Sequence, residues 1–201
     1  MALEDTSTSV EVKAANYPIQ RKIAKHWEDF AEKAHGEISG EFNLFHVDAK
    51  VEIPILRNKL IIHGYRQLTN YWAGSASMWI KQRRIYGEHT SVFIQFNEKI
   101  NYKFKIIKKP LIGLYFRIRY GNSIGLDDNY VVFLEDEEKL HIIKKTWSNS
   151  IFKHYLDHNL KVTLNKENGL LKIKIYKMLK RANELSNLLK QISEFTKRLQ
   201  E

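Results

Sequence analysis

The sequence predicts an α+β fold in a single domain: an antiparallel sheet of about seven to nine strands, an N-terminal helix, a helical segment near 136–157 and a long C-terminal helix. Three observations predict it. Short runs rich in Val, Ile, Phe and Tyr follow one another from Ile38 to Glu135, separated by Gly, Asn, Asp and Pro. No helical pattern divides these runs, as βαβ units would require. Apolar residues at helical spacing are confined to the stretches before and after them.

The elements follow in order. The polar residues ahead of Asn16 are expected to form a disordered tail, 1–15, with 16–201 as the folded domain. In NYPIQRKIAKHWEDFAEKAHG, Ile19, Ile23, Trp27, Phe30 and Ala34 recur at helical spacing, Pro18 suits a first turn and Gly36 supplies a stop. The spacing predicts a helix over about 18–35, with Trp27 and Phe30 as its core anchors. The strand-like runs are ISGEFNLFHVDAKVEIPI, KLIIHGYRQL, SASMWIKQRRI, TSVFIQF, NYKFKII, LYFRIRY and NYVVFLE. EDEEKLHIIKKTWSNSIFKHYLDH then reads as helical, acids first and lysines after, with Ser148 as a break. KVTLNKENGLLKIKIYKML reads as a hairpin turning at Glu-Asn-Gly. From about Lys180 to Gln200, Ala182, Leu185, Leu189, Ile192, Thr196 and Leu199 form one stripe with Leu188 and Phe195 beside it. Docking on the chain's own sheet is the common use of such a stripe, and a homodimer through this helix is the alternative.

Composition narrows the function. A chain of 201 residues, 43% hydrophobic and 28% charged, buries roughly 70% of its unfolded surface and needs no metal or disulfide to complete a core. It has no cysteine, which excludes disulfides, thiolate metal sites and a cysteine nucleophile. MALEDTSTSVEVK places acids where a signal peptide carries cations, and the longest apolar runs, such as LIGLYF, fall far short of the roughly 20 residues that span a bilayer. A soluble, cytoplasmic chain is expected. Formal net charge is +10, and between Lys81 and Arg119 ten Lys or Arg residues face only Glu88 and Glu98. The part from Lys172 onward is also basic. Such an excess attracts anionic partners.

Several motifs carry less than they promise. Gly121, Asn122, Ser123, Ile124 and Gly125 match G-x-S-x-G, but a nucleophile elbow needs a helix to follow, and LDDNYVVFLE reads as a strand. The segment reads as a turn. His154 and His158 stand at i and i+4 in HYLDH, the spacing of a helical metal pair, yet the glutamate of a zincin is replaced by Tyr155 and no third ligand is indicated. Glu135 to Glu138 read as a solvated helix start, and Asp127 and Asp128 as a turn before a strand. No phosphate-binding glycine loop or P-loop lysine is present, and no cofactor is expected.

The stretch NYKFKIIKKPLIGLYFRIRY is expected to form a hairpin. Tyr102, Phe104 and Ile106 share one face while Lys103 and Lys105 share the other; Leu114, Phe116, Ile118 and Tyr120 oppose Tyr115, Arg117 and Arg119. A sheet that stacks bases needs aromatics on the same face as its cations. Most aromatics here fall on the opposite face and read as core. What remains is a cationic strip of Lys103, Lys105, Arg117 and Arg119 around Tyr115, joined by Lys81, Arg83 and Arg84.

HWEDFAEKAHG, LIIHGYRQL and LDDNYVVFLEDEEKLHIIKKTWSNSIFKHYL, followed by a hairpin and a final helix, resemble an uncharacterised bacterial family of soluble α+β domains over about 16–199. In that family a Trp-containing helix leads into a sheet, and a Phe-Asp-x-x-Tyr-x-Val segment precedes a helix. Asp127, Tyr130 and Val132 match, while Leu126 stands in place of Phe. Relatives often carry membrane helices ahead of the domain, and no such helix is expected from these 201 residues. The resemblance implies a fold and a bacterial source and transfers no catalytic residue.

Three functional expectations follow. The first is a non-enzymatic domain that binds an anionic ligand or a protein partner through the basic strip. The second is a small-molecule-binding protein or enzyme with a pocket between sheet and helices, for which Trp27, Trp72, Trp79 and Trp147 are candidate lining residues, core packing being their commoner use. The third is a nucleic-acid-binding protein.

Overall fold

A computed structural model describes residues 2–55, 58–75, 78–97, 101–109, 124–148 and 159–200, with backbone only at 55, 58, 70–75, 78–84, 148 and 200. It is mixed α+β. The strands are β1 (Glu4–Asp5), β2 (Glu37–Phe42), β3 (His46–Ile55), β4 (Asn58–Ser75), β5 (Met78–Gln95), β6 (Phe104–Lys108), β7 (Ile124–Gly125), β8 (Tyr130–Leu134), β9 (Leu160–Asn165) and β10 (Leu170–Ile175). The helices among the described residues are α1 (Tyr17–Lys33), α2 (Leu140–Ser148) and α3 (Ala182–Gln200), with single 3-10 turns at Glu11–Lys13 and Glu137–Lys139. The strands hydrogen-bond in the order β1-β2-β3-β4-β5-β10-β9-β6-β8-β7. β1 joins β2 in parallel, and the registered pairs β2–β3, β9–β10, β6–β8, β6–β9 and β7–β8 are antiparallel.

The sheet is larger than predicted. KLIIHGYRQL, SASMWIKQRRI and TSVFIQF merge into β4 and β5, each 18 residues long. Gly64 and Gly87 are interior to these strands, where ladder bonds run through the backbone whatever the side chain. NYKFKII supplies β6, but its neighbours are β8 and β9: over Phe104–Ile106 both edges are occupied by these two strands. The expected hairpin with LYFRIRY is therefore not how β6 is paired, and LYFRIRY lies outside the described residues.

The chain divides into two compact units: Met1–Ile53 with Ile61–Thr90 and Lys177–Leu185, and Pro54–Leu60 with Ser91–Tyr176 and Ser186–Glu201. In the first unit, residues expected to form a disordered tail have structure. Glu4 and Asp5 pair with Glu41 and Phe42, Leu3 is buried, and the Tyr17 hydroxyl donates to Asp5. A buried leucine and a local ladder supply the ordering that polar composition concealed.

α1 carries Pro18 in its first turn as predicted. Trp27 and Phe30 are fully buried, and the Trp27 indole Nε1 donates to the Leu179 carbonyl at 3.0 Å. Ile19 is the departure. It is 52% exposed, and Gln20 is buried in its stead, where its Oε1 accepts from Arg66 Nη1 at 2.8 Å. The α1 stop also differs from the prediction. His35, not Gly36, takes the left-handed conformation, with φ of 51°, while Gly36 N donates to Ala31 O and His35 N to Glu32 O in a Schellman closure. Behind α1, Arg66 and Lys180 meet the carboxylate of Glu88 at 3.6 and 3.1 Å.

In the second unit, β9 and β10 form the predicted hairpin, from Leu170↔Asn165 to Ile175↔Leu160, closed by a turn in which Gly169 takes a φ of 58°. Val92 and Ile94 of β5, Phe96 just after it, Phe104 and Ile106 of β6, Val132 of β8, Leu160, Val162 and Leu164 of β9 and Leu171, Ile173 and Ile175 of β10 point into the core. The C-terminal stripe is buried through Leu185, Leu188, Ile192, Phe195 and Leu199. Docking within the chain thus takes up the seam that a homodimer through α3 would use. Near the end of α3, the Tyr102 hydroxyl donates to the Leu199 carbonyl, and burial raises the Tyr102 phenol above its ordinary pKa.

Candidate functional site

Alternation along the strands of the second unit puts one set of side chains in the core and the other on the opposite face. On β6 the core set is Phe104 and Ile106, and Lys105 is exposed. On β9 and β10 the core positions alternate with Lys161, Thr163, Lys172 and Lys174. Register sets four of these side chains in one line: Lys172 opposes Thr163, Thr163 opposes Lys105, and Lys105 opposes Phe133 of β8. Three steps of strand spacing make this line about 14 Å long. Aromatic rings bracket it. The Lys105 ammonium lies 5.9 Å from the centroid of Phe133, and that of Lys172 lies 4.9 Å from the centroid of Phe93 on β5. Beyond them Lys174 sits 5.0 Å from Tyr176, a ring that is 51% exposed.

One end of the line opens into a groove of about 510 Å³ bordered by Lys103, Lys105, Phe133, Glu135, Thr163 and Glu167. Acidic and basic groups meet there. Glu135 takes Lys166 at 2.6 Å and Lys103 at 3.3 Å, and these two lysines, Lys166 first, hold its carboxyl below the usual carboxylate range. Away from this end the line itself is cationic.

The predicted strip is thus placed in part. Lys103 and Lys105 lie on this face, Lys103 ion-paired with Glu135 and Lys105 over Phe133. Lys81, Arg83 and Arg84 belong to β5, where only the backbone is described. Tyr115, Arg117 and Arg119 lie outside the described residues, as do His154 and His158. Sorting one presumed hairpin by face missed Lys161, Lys172 and Lys174 and the rings of Phe93, Phe133 and Tyr176. Their signal was the period-2 alternation of LKVTLN and LLKIKIY, together with the basic character noted from Lys172 onward.

Other motif readings resolve structurally. Ile124–Gly125 pairs with Val131 and Val132 of β8, so the residues after Ser123 lead into a strand and not a helix; Ser123 itself is outside the described residues. Asp127 forms an Asx turn: its Oδ1 accepts from Asn129 N and Tyr130 N, both at 2.7 Å. Its Oδ2 accepts from Trp147 Nε1 at 2.6 Å. Asp136 accepts from Glu138 N at the start of the 3-10 turn, so the acidic cluster divides between a helix cap and the Glu135 ion pairs. Trp27 and Trp147 are buried and hydrogen-bonded, while Trp72 and Trp79 fall where only the backbone is described.

The first unit holds a separate polar cluster. His63 Nε2 meets Asp48 Oδ1 at 2.8 Å, and the His89 ring lies 5.6 Å from both His63 and Tyr65. The hydrogen bond with His63 holds the Asp48 carboxyl below its ordinary range. Among the described residues no group of three or more His, Asp or Glu side chains is arranged to hold a metal ion, and no helix is long and apolar enough to cross a membrane.

Comparison of the chain with protein-family models, with curated proteins and with solved structures gives no match.

Proposed function

We propose that this chain is a non-enzymatic binding domain whose lysine-bearing sheet face, around Lys105 and Lys172, holds an anionic partner. The observation that carries the reading is the cross-strand line Lys172–Thr163–Lys105–Phe133. Lys105 on β6 and Lys172 on β10 stand on either side of β9, so their fields add over the face and favour a ligand with more than one negative charge. The local charge excess near Lys103 and Lys105 in the sequence supports the same reading, as does the exposure of Lys105 and Lys172.

Heparin chromatography tests it. The variant Lys105→Glu/Lys172→Glu is expected to elute at clearly lower salt than the parent. Lys25→Glu/Lys33→Glu, which makes the same change of net charge on α1, should shift elution much less. Equal shifts for the two double variants would show that retention follows net charge and would sink the assignment to this face.

A further inference from the structure

Resting on the anionic-partner reading above, we propose that the partner is single-stranded nucleic acid, with bases stacked on Phe93, Phe133 and Tyr176 and phosphates held by Lys105, Lys172 and Lys174. Sheets that hold single strands combine aromatic rings for stacking with cations on the same face for the backbone, and two or three stacked bases suffice. This face has both. Each of the three rings has one of the three ammonium groups over it, at 5.9, 4.9 and 5.0 Å.

The arrangement discriminates among anions. A small anion is held by donors converging on one point, whereas these cations are spread over the face, Lys172 and Lys174 on β10 and Lys105 two strands away on β6. Spread cations fit an extended chain with repeating charge. An acidic peptide offers that charge but no flat π surface for the rings. A duplex offers phosphates while its bases remain stacked on each other. Only an unpaired strand supplies both. In the free chain the ammonium groups rest over the rings through a weak exposed cation–π attraction. Stacking of a base moves each of them onto a phosphate, so neither group loses a partner.

Anisotropy titrations of the full chain with dye-labelled single-stranded RNA and DNA of about 12 nucleotides, within the range of known single-strand sites, test the proposal. The matching duplexes and inorganic polyphosphate are the comparison ligands. The expected result is tighter binding of single strands than of duplexes, falling steeply with salt. The RNA and DNA arms show whether the sugar is read. Phe133→Leu and Tyr176→Leu should each weaken single-strand binding by about tenfold, the effect of losing one stacked base, and Tyr176→Leu, which lies outside the Lys172–Phe133 line, should leave polyphosphate binding unchanged. Tyr176 is half exposed, so Tyr176→Leu keeps the fold, as a thermal melt followed by circular dichroism would verify. Polyphosphate binding at parental strength together with ring variants that bind single strands like the parent would overturn the nucleic-acid assignment and leave the anionic-partner reading standing. Binding of neither single strands nor polyphosphate would overturn both.

Discussion

Trp27→Ala is expected to lower stability by about 3–5 kcal/mol, the range for removing a fully enclosed large aromatic side chain. Trp27 is inaccessible to solvent, and its ring lies so close over Gly64 that a Cβ on that glycine would fall within the indole. The indole also satisfies the Leu179 carbonyl, linking α1 to the segment that leads into α3. Alanine removes the packing and leaves that carbonyl without its donor. Trp27→Phe should retain most of the packing and lose the hydrogen bond, at a cost of about 1–3 kcal/mol. Gly64→Val approaches the same contact from the other side and should destabilise through overpacking. Urea unfolding with an unchanged denaturant slope provides the measurement. A loss below about 1 kcal/mol for Trp27→Ala would contradict the packing described, since burial of this size predicts more.

Asp127→Ala should produce the second large loss, about 2–4 kcal/mol, from three hydrogen bonds that converge on one carboxylate. Its two oxygens hold the turn into β8, through Asn129 N and Tyr130 N, and fix Trp147 of α2. The loss spreads beyond the turn. Tyr130 is fully buried, packs on Trp147 with ring centroids 5.1 Å apart, and its hydroxyl accepts from Leu160 N at the start of β9. Asp127→Asn keeps one oxygen and should cost less than the alanine variant. Tryptophan fluorescence during unfolding reads both, because the Trp147 indole is hydrogen-bonded to this side chain. Equal stability of the aspartate and alanine forms would show that the carboxylate is not what ties β8 to α2.

These two sites mark what a sequence makes visible. Trp27 and Phe30 announced themselves through helical spacing, and the hairpin over 160–175 through alternation and its Glu-Asn-Gly turn. Asp127, Tyr130 and Val132, the residues that carried the family resemblance, form a turn, a buried hydroxyl and a core strand position, so here the motif is architectural. The α1 stripe departs from the reading only at its first position, where Gln20 is buried in place of Ile19 with Arg66 of β4 as its partner, a pairing 46 residues away in sequence. Glycine inside β4 and β5 looked like punctuation but sits within uninterrupted strands.

The candidate face was legible only within single strands. Alternation states which residues of β6 lie together, and it placed Lys105 opposite the buried Phe104 and Ile106 correctly. It does not state which strands are neighbours. That β6 lies between β8 and β9 follows from long-range pairing, and this pairing brings Phe133, from a run read only as a further strand, beside Lys105. An aromatic-poor cationic strip in the sequence thereby becomes a face on which rings flank the cations.

The most direct test of that face is a residue-resolved map of where a polyanion binds. In a nitrogen-15 NMR titration of the whole chain with polyphosphate, the binding-face account predicts saturable shifts at the amides of Lys105, Thr163, Lys172 and Lys174, with Lys25 and Lys33 of α1 unmoved. Shifts that spread over the lysines of α1 as strongly as over β6, β9 and β10, or that never saturate, would contradict it.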